Sequence, residues 1–212
     1  MSKPILMIAI VGGVCVAGWL LILLSNRRLR QHIRQLSWSA QHDDLTGLLN
    51  RAGLLDRYGQ LADWPRNLMV FLINVDGFKT VNSRFGHRAG DDLLCQAAQR
   101  IDELTNSLGG FAARLPGDRF VAIIEWRHHD ISHVADRFAR ATAEPIAITV
   151  DGQEVLLRVT ASVGAAWVDS RDPLDEVVLR RTDIAMFHAK CDGGDRYTVF
   201  EPGMTMPPPI ST

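Results

Sequence analysis

The chain has 212 residues, with 23 Lys and Arg against 24 Asp and Glu, a formal net charge of −1, and 47% hydrophobic and 22% charged residues. Nothing in that balance points to a polyanion partner such as nucleic acid, and the length holds about one domain with a sizeable core behind its N-terminal segments. The three cysteines, Cys15, Cys95 and Cys191, are widely spaced and form no CxxC pair, so they suggest neither a disulfide framework nor a zinc site and fit a reducing compartment.

Residues 5–24 carry no charge. At about 1.5 Å per residue such a run just crosses a hydrocarbon core about 30 Å thick. The run is longer than the apolar part of a signal peptide, and no small-residue cleavage site follows it. Arg27, Arg28, Arg30 and Arg34 follow, against Lys3 alone in front, which places the C-terminal side in the cytoplasm. Residues 1–25 therefore read as a single-pass anchor in the cytoplasmic (inner) membrane, and residues 26–42 as a juxtamembrane stalk helix whose arginines can meet anionic lipid. Leu29, Ile33, Leu36 and Ala40 form an a/d seam. Such a seam suits a short dimerising coiled coil or a helix packed on its own domain.

Beyond the stalk, residues 43–50 are turn-rich. The pattern predicts a helix over 51–62, stopped by Trp64-Pro65, and an apolar strand over 68–75. Two helices follow, about 77–85 and 89–106. Residues 111–115 and 119–126 read as a hairpin around Pro116-Gly117-Asp118, then a helix spans 131–143. Residues 146–150 and 154–167 read as strands paired around Asp151-Gly152. A helix over 174–189 and a strand near 197–200 complete a domain over 43–201, and residues 202–212 read as a disordered tail. This order predicts an α+β fold, a mostly antiparallel sheet with helices packed on it.

Four stretches in order resemble the GGDEF domain of the diguanylate cyclase family. They are Asp43-Asp44-Leu45-Thr46-Gly47-Leu48-Leu49-Asn50-Arg51; Asn74-Val75-Asp76-Gly77-Phe78-Lys79 with Val81-Asn82 and Gly86-His87-Arg88-Ala89-Gly90-Asp91; Arg114-Leu115-Pro116-Gly117-Asp118-Arg119-Phe120; and Ser162-Val163-Gly164 with the run from Asp183 to Lys190. The resemblance covers about residues 43–200. It implies a palm-like sheet, as in polymerases and nucleotide cyclases, and an activity in which two protomers join two GTP into cyclic di-GMP with release of two pyrophosphates. It also implies Mg²⁺ or Mn²⁺ at the phosphates and a homodimer.

Carried over residue by residue, the resemblance makes Asn82 and Asp91 readers of the guanine edge, Lys190 a phosphate contact and Lys79 a further nucleotide-binding residue. Taken alone, Asn82 is equally a helix-turn residue, Asp91 a helix cap and Lys190 a helix C-terminal lysine. The family's further basic phosphate contact falls on Gly194. The metal set would be Asp118, the Val75 carbonyl and Asn74, which stands where the family has Asp. Asn74 and Asp76 alternate onto one face of the strand, though the Asp76 position is less clearly a ligand. Arg119 stands where the family has a catalytic Glu. Together Asn74 and Arg119 shift the site by about three charge units against a divalent cation, each worth on the order of 4 kcal/mol at about 4 Å. Arg119 has two readings, a cation pairing directly with GTP phosphates or a solvated residue of a decayed site. The RxxD inhibitory motif would fall on Ser107 and Gly110 and is absent.

The resemblance therefore implies a degenerate GGDEF protein of cyclic di-GMP signalling, binding GTP or a partner as a regulatory dimer, with a weakened Mg²⁺ or Mn²⁺ site, and the apolar N-terminal run would anchor it in the membrane. One alternative is an active cyclase with atypical metal ligands, and another is a structural domain without nucleotide. A partner acting in trans, such as an EAL protein, would suit the first reading. His128, His129 and His133 read as a solvent-facing helix start; His129 and His133 have a spacing that can also hold a metal.

Overall fold

A computed structural model describes residues 19, 38–127, 129–150 and 152–207. The chain divides into two units, Met1–Ala40 and Gln41–Thr212. Apart from Trp19, the predicted span 4–24 lies outside the described residues, as do Leu29, Ile33 and Leu36 of the stalk seam. Among the described residues no helix is long and apolar enough to cross a membrane.

The second unit is built around β1 (Asn67–Val75), buried at every position after Asn67. It runs antiparallel to β3 (Arg119–Glu125) on one side and to β6 (Ala161–Asp169) on the other. Strand β2 (Phe111–Leu115) extends the sheet beyond β3, and β7 (Arg196–Val199) joins β6 in parallel, giving the order β2-β3-β1-β6-β7. A strand covered on both faces needs apolar residues at successive positions rather than in alternation, which is the character of Leu68 to Ile73.

The two faces divide by parity. Met69, Phe71, Ile73 and Val75 enter a core with α3 (His87–Ser107) and α4 (Ile131–Ala143), where Phe71 and Phe138 stand 5.1 Å apart. Leu68, Val70 and Leu72 pack with α1 (Arg51–Gly59) and α5 (Arg180–Cys191). Asn74 continues that second face to the sheet's end. Helix α1 starts where Asn50 Oδ1 accepts the Gly53 N–H at 3.0 Å. Helix α2 (Phe78–Phe85) follows β1 through Gly77, whose φ of +72° turns the chain out of the sheet.

The expected α+β architecture holds, and two predicted elements need correction. The single strand expected over 154–167 is two strands in two sheets. Strand β5 (Gln153–Leu157) pairs with β4 (Ile146–Val150) in a separate hairpin, while β6 joins the main sheet. Between them Thr160 bonds to Asp76, its carbonyl accepting the Asp76 N–H at 2.8 Å and its hydroxyl donating to Oδ2 at 2.8 Å. These bonds turn the chain from one sheet into the other. The helix expected from 174 begins as a π-helical turn, Leu174–Leu179, because the Pro173 carbonyl accepts from both Val177 and Val178 N–H, at 3.1 and 3.2 Å. In the expected tail the Met204 N–H donates to Glu201 O at 3.0 Å and His188 Nε2 lies 3.0 Å from Thr205 O; residues 208–212 lie outside the described residues.

Candidate functional site

The open end of the sheet, where β1 stops, brings together Asn74, Val75, Asp118 and Arg119 among the residues that the sequence singles out. In register, Asn74 faces Arg119 across β3 and Ser162 across β6. The β2–β3 turn brings Asp118 alongside, since the Val75 N–H donates to the Asp118 carbonyl at 3.1 Å. Gly117 takes φ +85°, the left-handed conformation that the Pro116-Gly117 turn requires.

Arg114 holds this turn. Its Nη2 and Nε donate to Gly117 O at 2.9 and 3.2 Å, and its Nη1 donates to Asp43 Oδ1 at 2.9 Å. Asp43 also accepts from Thr46, through Oγ1 at 2.6 Å and the backbone N–H at 2.9 Å. Burial alone would raise the Asp43 carboxyl, but the bonds from Thr46 and Arg114 outweigh it and hold the group below its ordinary value. The first and third motifs, far apart in sequence, thus form one anchored turn.

Asn74 is buried, and its Nδ2 donates to Asp118 Oδ1 at 3.0 Å. Its Oδ1 is buried without a hydrogen-bond partner among the described residues. This arrangement fits a divalent cation poorly. The set has a single carboxylate, Asp118, and one of its oxygens is occupied by an amide N–H rather than turned to an ion. Exchanging the amide's ends would set an oxygen against the carboxylate. The Val75 carbonyl adds a neutral donor, and no group of three His, Cys, Asp or Glu that could hold a metal occurs among the described residues.

Asp76 does not supply the missing ligand. Its Oδ1 accepts from Ser162 Oγ at 2.8 Å, and its Oδ2 accepts from Thr160 Oγ1 at 2.8 Å and Asp195 N–H at 3.2 Å. Asn74 and Asp76 therefore part company, one turned to β3 and the other tied to the β6 side. Thr160 and Asp195 carried no signal in sequence, because their role depends on loops that meet only in the fold.

Arg119 lies on the α1–α5 face, where it lines a cavity of about 350 Å³ with Arg51, Asp175, Arg180 and Asp183. Arg51 and Asp175 pair there at 2.7 Å.

Asn82 sits in α2, and its Oδ1 is buried without a partner among the described residues. It presses on Gly90, where a Cβ would come within 1.9 Å of that oxygen. The backbone of α3 thus approaches α2 as closely as glycine permits. Asp91 follows and is exposed. It is not the helix cap that its position suggested, because α3 begins at His87 with Gly86 as its N-cap and no side-chain capping bond. Lys79 is exposed in the first turn of α2, and Lys190 is half-buried in the last turn of α5. Gly194 ends that segment at φ +73°, and a Cβ there would stand 3.0 Å from Asp76 Oδ2.

Two further expectations find their places away from this site. Position 110 has no room for a side chain, since a Cβ would meet the Ile123 carbonyl at 2.3 Å, and Ser107 Oγ donates to Leu104 O at 2.7 Å. At α4, Asp130 is the cap, accepting from Ser132 and His133 N–H at 2.7 and 3.3 Å; His128 lies outside the described residues.

Residues 40–196 match the family described as diguanylate cyclase, GGDEF domain. The bifunctional diguanylate cyclase/cyclic di-GMP phosphodiesterase MucR of Pseudomonas aeruginosa is 36% identical over 176 residues, 81% of this chain and 25% of its own length. The first curated relatives are all much longer, and the chain spans between 17% and 41% of them. The GGDEF domain of YfiN from Pseudomonas aeruginosa superposes with a TM-score of 0.62 at 31% identity, over 76% of this chain and 94% of that one. The coiled coil and GGDEF domain of DgcB from Caulobacter crescentus, solved with c-di-GMP, shares the fold at a TM-score of 0.72 and 23% identity, over 82% and 93% of the two chains.

Proposed function

Since the chain belongs to the GGDEF family, the diguanylate cyclase domains of cyclic di-GMP signalling, we propose that it is a regulatory member that binds GTP without joining two of them. The observation that carries this reading is the Asn74 Nδ2 to Asp118 Oδ1 hydrogen bond of 3.0 Å. A cyclase site of this family needs acidic groups that hold a cation. Here an amide N–H, itself a donor, satisfies the remaining carboxylate. Arg119, opposite Asn74 in the β1–β3 register, adds a permanent positive charge where the family has a catalytic Glu.

Nucleotide recognition is the part of the site that the residues support. Asn82 offers a buried amide oxygen without a partner among the described residues, and such a group costs about 1–3 kcal/mol unless something bonds to it. A guanine edge has N–H donors for it, and Asp91 is close in sequence and accessible. Lys79 and Lys190 would face the phosphates, with Arg119 as a further cation. The apolar segment over residues 4–24 would hold the protein in the cytoplasmic membrane, the domain inside the cell, with the stalk over 26–42 bringing two copies together. A protein partner, such as an EAL protein acting in trans, would read out the nucleotide state.

The test is one incubation of the full chain in detergent with GTP and Mg²⁺ or Mn²⁺, read for both GTP affinity and product. GTP binding without cyclic di-GMP is the expected result, and Asp91→Ala should weaken that binding by about tenfold or more. Cyclic di-GMP made in proportion to the protein added would overturn the proposal. A chain that binds no GTP would leave a purely structural role.

A further inference from the structure

The β4–β5 hairpin carries two edges, and the fold treats them differently. Successive backbone groups along a strand point alternately to its two sides. On β4, the outward groups are those of Ala147 and Thr149, and α3 satisfies them with side chains. Gln96 bonds to both the N–H and the carbonyl of Ala147, and Asp92 Oδ2 accepts from the Thr149 N–H at 3.2 Å. That edge is closed.

The other edge is open. Val150 pairs with Gln153, Ile148 with Val155 and Ile146 with Leu157, so Gln153, Val155 and Leu157 turn their backbone groups towards β4. Glu154 and Leu156 turn theirs away, and exposed Arg158, just past the end of β5, is next at that two-residue spacing. No described strand pairs with that side of β5. All of Gln153 to Leu156 are exposed, with Val155 at 37% and Leu156 at 71%. An open edge with an exposed leucine is what a soluble chain ordinarily blunts with charge, proline or a covering element.

We propose that this edge is an interface between two copies of the chain, pairing β5 with β5 antiparallel about a two-fold axis at Leu156. The argument is self-complementarity. Pairing through the outward groups requires a register in which residues 154, 156 and 158 meet one another. Centred on Leu156, Glu154 of one copy falls opposite Arg158 of the other, and Arg158 opposite Glu154, with the two leucines between them. Shifting the centre by one residue in either direction, to 155 or 157, loses both ion pairs. An isologous contact demands this symmetry of a single strand, and cross-strand opposite charges and apolar pairs are what stabilise neighbouring strands. The pairing would join two hairpins into one four-stranded sheet while the main sheet and its open end stay untouched. It rests on no statement about nucleotide.

Disulfide trapping in the full chain tests it. In a background of Cys15→Ser, Cys95→Ser and Cys191→Ser, Leu156→Cys would face its own copy at the Cα separation of a bonded strand pair, about 5.5 Å. Mild oxidation should give covalent dimer several-fold above a control cysteine at exposed Glu103 on α3. Glu154→Arg or Arg158→Glu alone should cut that yield by about tenfold, because both ion pairs become repulsions. The double exchange should restore it, and mixing the two single variants should give mixed dimers. Trapping no better than the control, or indifferent to the single reversals, would overturn the proposal. So would reversals that lower the yield with no recovery in the double exchange.

Discussion

A carboxylate at position 74 would stand against Asp118 where the Asn74 amide now donates at 3.0 Å, and two carboxylates so placed repel unless a proton or cation lies between them. Asn74→Asp should therefore make stability depend on divalent ions. In EDTA the variant should unfold at lower temperature than the parent, by about 1–3 kcal/mol of stability, and millimolar Mg²⁺ or Mn²⁺ should recover it. The parent's melting temperature should not respond to either ion; a parent stabilised by Mg²⁺ as much as the variant would remove the argument. Asp43 offers a second test. Its folded value lies below its ordinary 3.8, so the stabilisation it gives is complete above that value and fades as pH falls through the lowered one. Arg114→Ala removes the charged partner and should cost about 1–2 kcal/mol. It should also shift acid unfolding, followed by circular dichroism, to higher pH. Positions 74 and 119 stood out in sequence only through the resemblance, which sets acidic residues where Asn74 and Arg119 stand. The direction of the Asn74 amide, and the three bonds that engage the Asp76 carboxylate, depend on β3, β6 and the loops at Thr160 and Asp195 meeting, which no local pattern encodes.

Among the elements, the packing of α5 on β6 turns on Gly164. A Cβ there would come within 2.0 Å of the Thr182 carbonyl and 2.3 Å of the Met186 nitrogen. Both are helix backbone, which cannot swing aside. Gly164→Ala should push α5 off the sheet and cost about 3 kcal/mol or more, seen as a lower urea midpoint; a midpoint unchanged would mean that the helix slides without loss. The helix moved by that change carries Lys190, so GTP affinity should fall as well. Strand β1 and helices α3 and α4 could be read from apolar runs and periodicity, because their burial is continuous and their ends are punctuated by Gly and Pro. The break between β5 and β6 could not. Residues 154–167 favour strand nearly throughout, and only the tertiary bonds from Thr160 to Asp76 divide them. The π-helical turn at Leu174–Leu179 is similarly hidden, since Pro173 signals a helix start and not the register of its first bonds.

For the whole molecule, the reading from sequence and the fold converge on one family, and a fold does not by itself assign an activity. The curated relatives are two to six times longer than the stretch they share with this chain, as their 17% to 41% coverage implies. Names such as diguanylate cyclase therefore describe proteins with further parts, and the activity has to be tested on this chain itself. Raising the level of the full chain in a bacterial host should leave cellular cyclic di-GMP at the level of an empty vector. Asn74→Asp with Arg119→Glu reverses about three units of charge at the site, worth on the order of several kcal/mol to a bound cation even in a high effective dielectric. If the loss of acidic groups is the whole lesion, that double variant should raise cyclic di-GMP measurably in the same host. If Pro116 and Gly194 also matter, the double variant should bind Mg²⁺ and GTP together and still make no product. Pro116 stands where the resemblance sets glycine and has no N–H to offer a phosphate, and Gly194 stands where the resemblance sets a basic phosphate contact, at a position where a side chain would meet Asp76. The second outcome is the one expected, because the phosphates would be neutralised at one end and left ungripped at the other. A parent chain that by itself raised cyclic di-GMP would sink the regulatory reading, whatever the variants did.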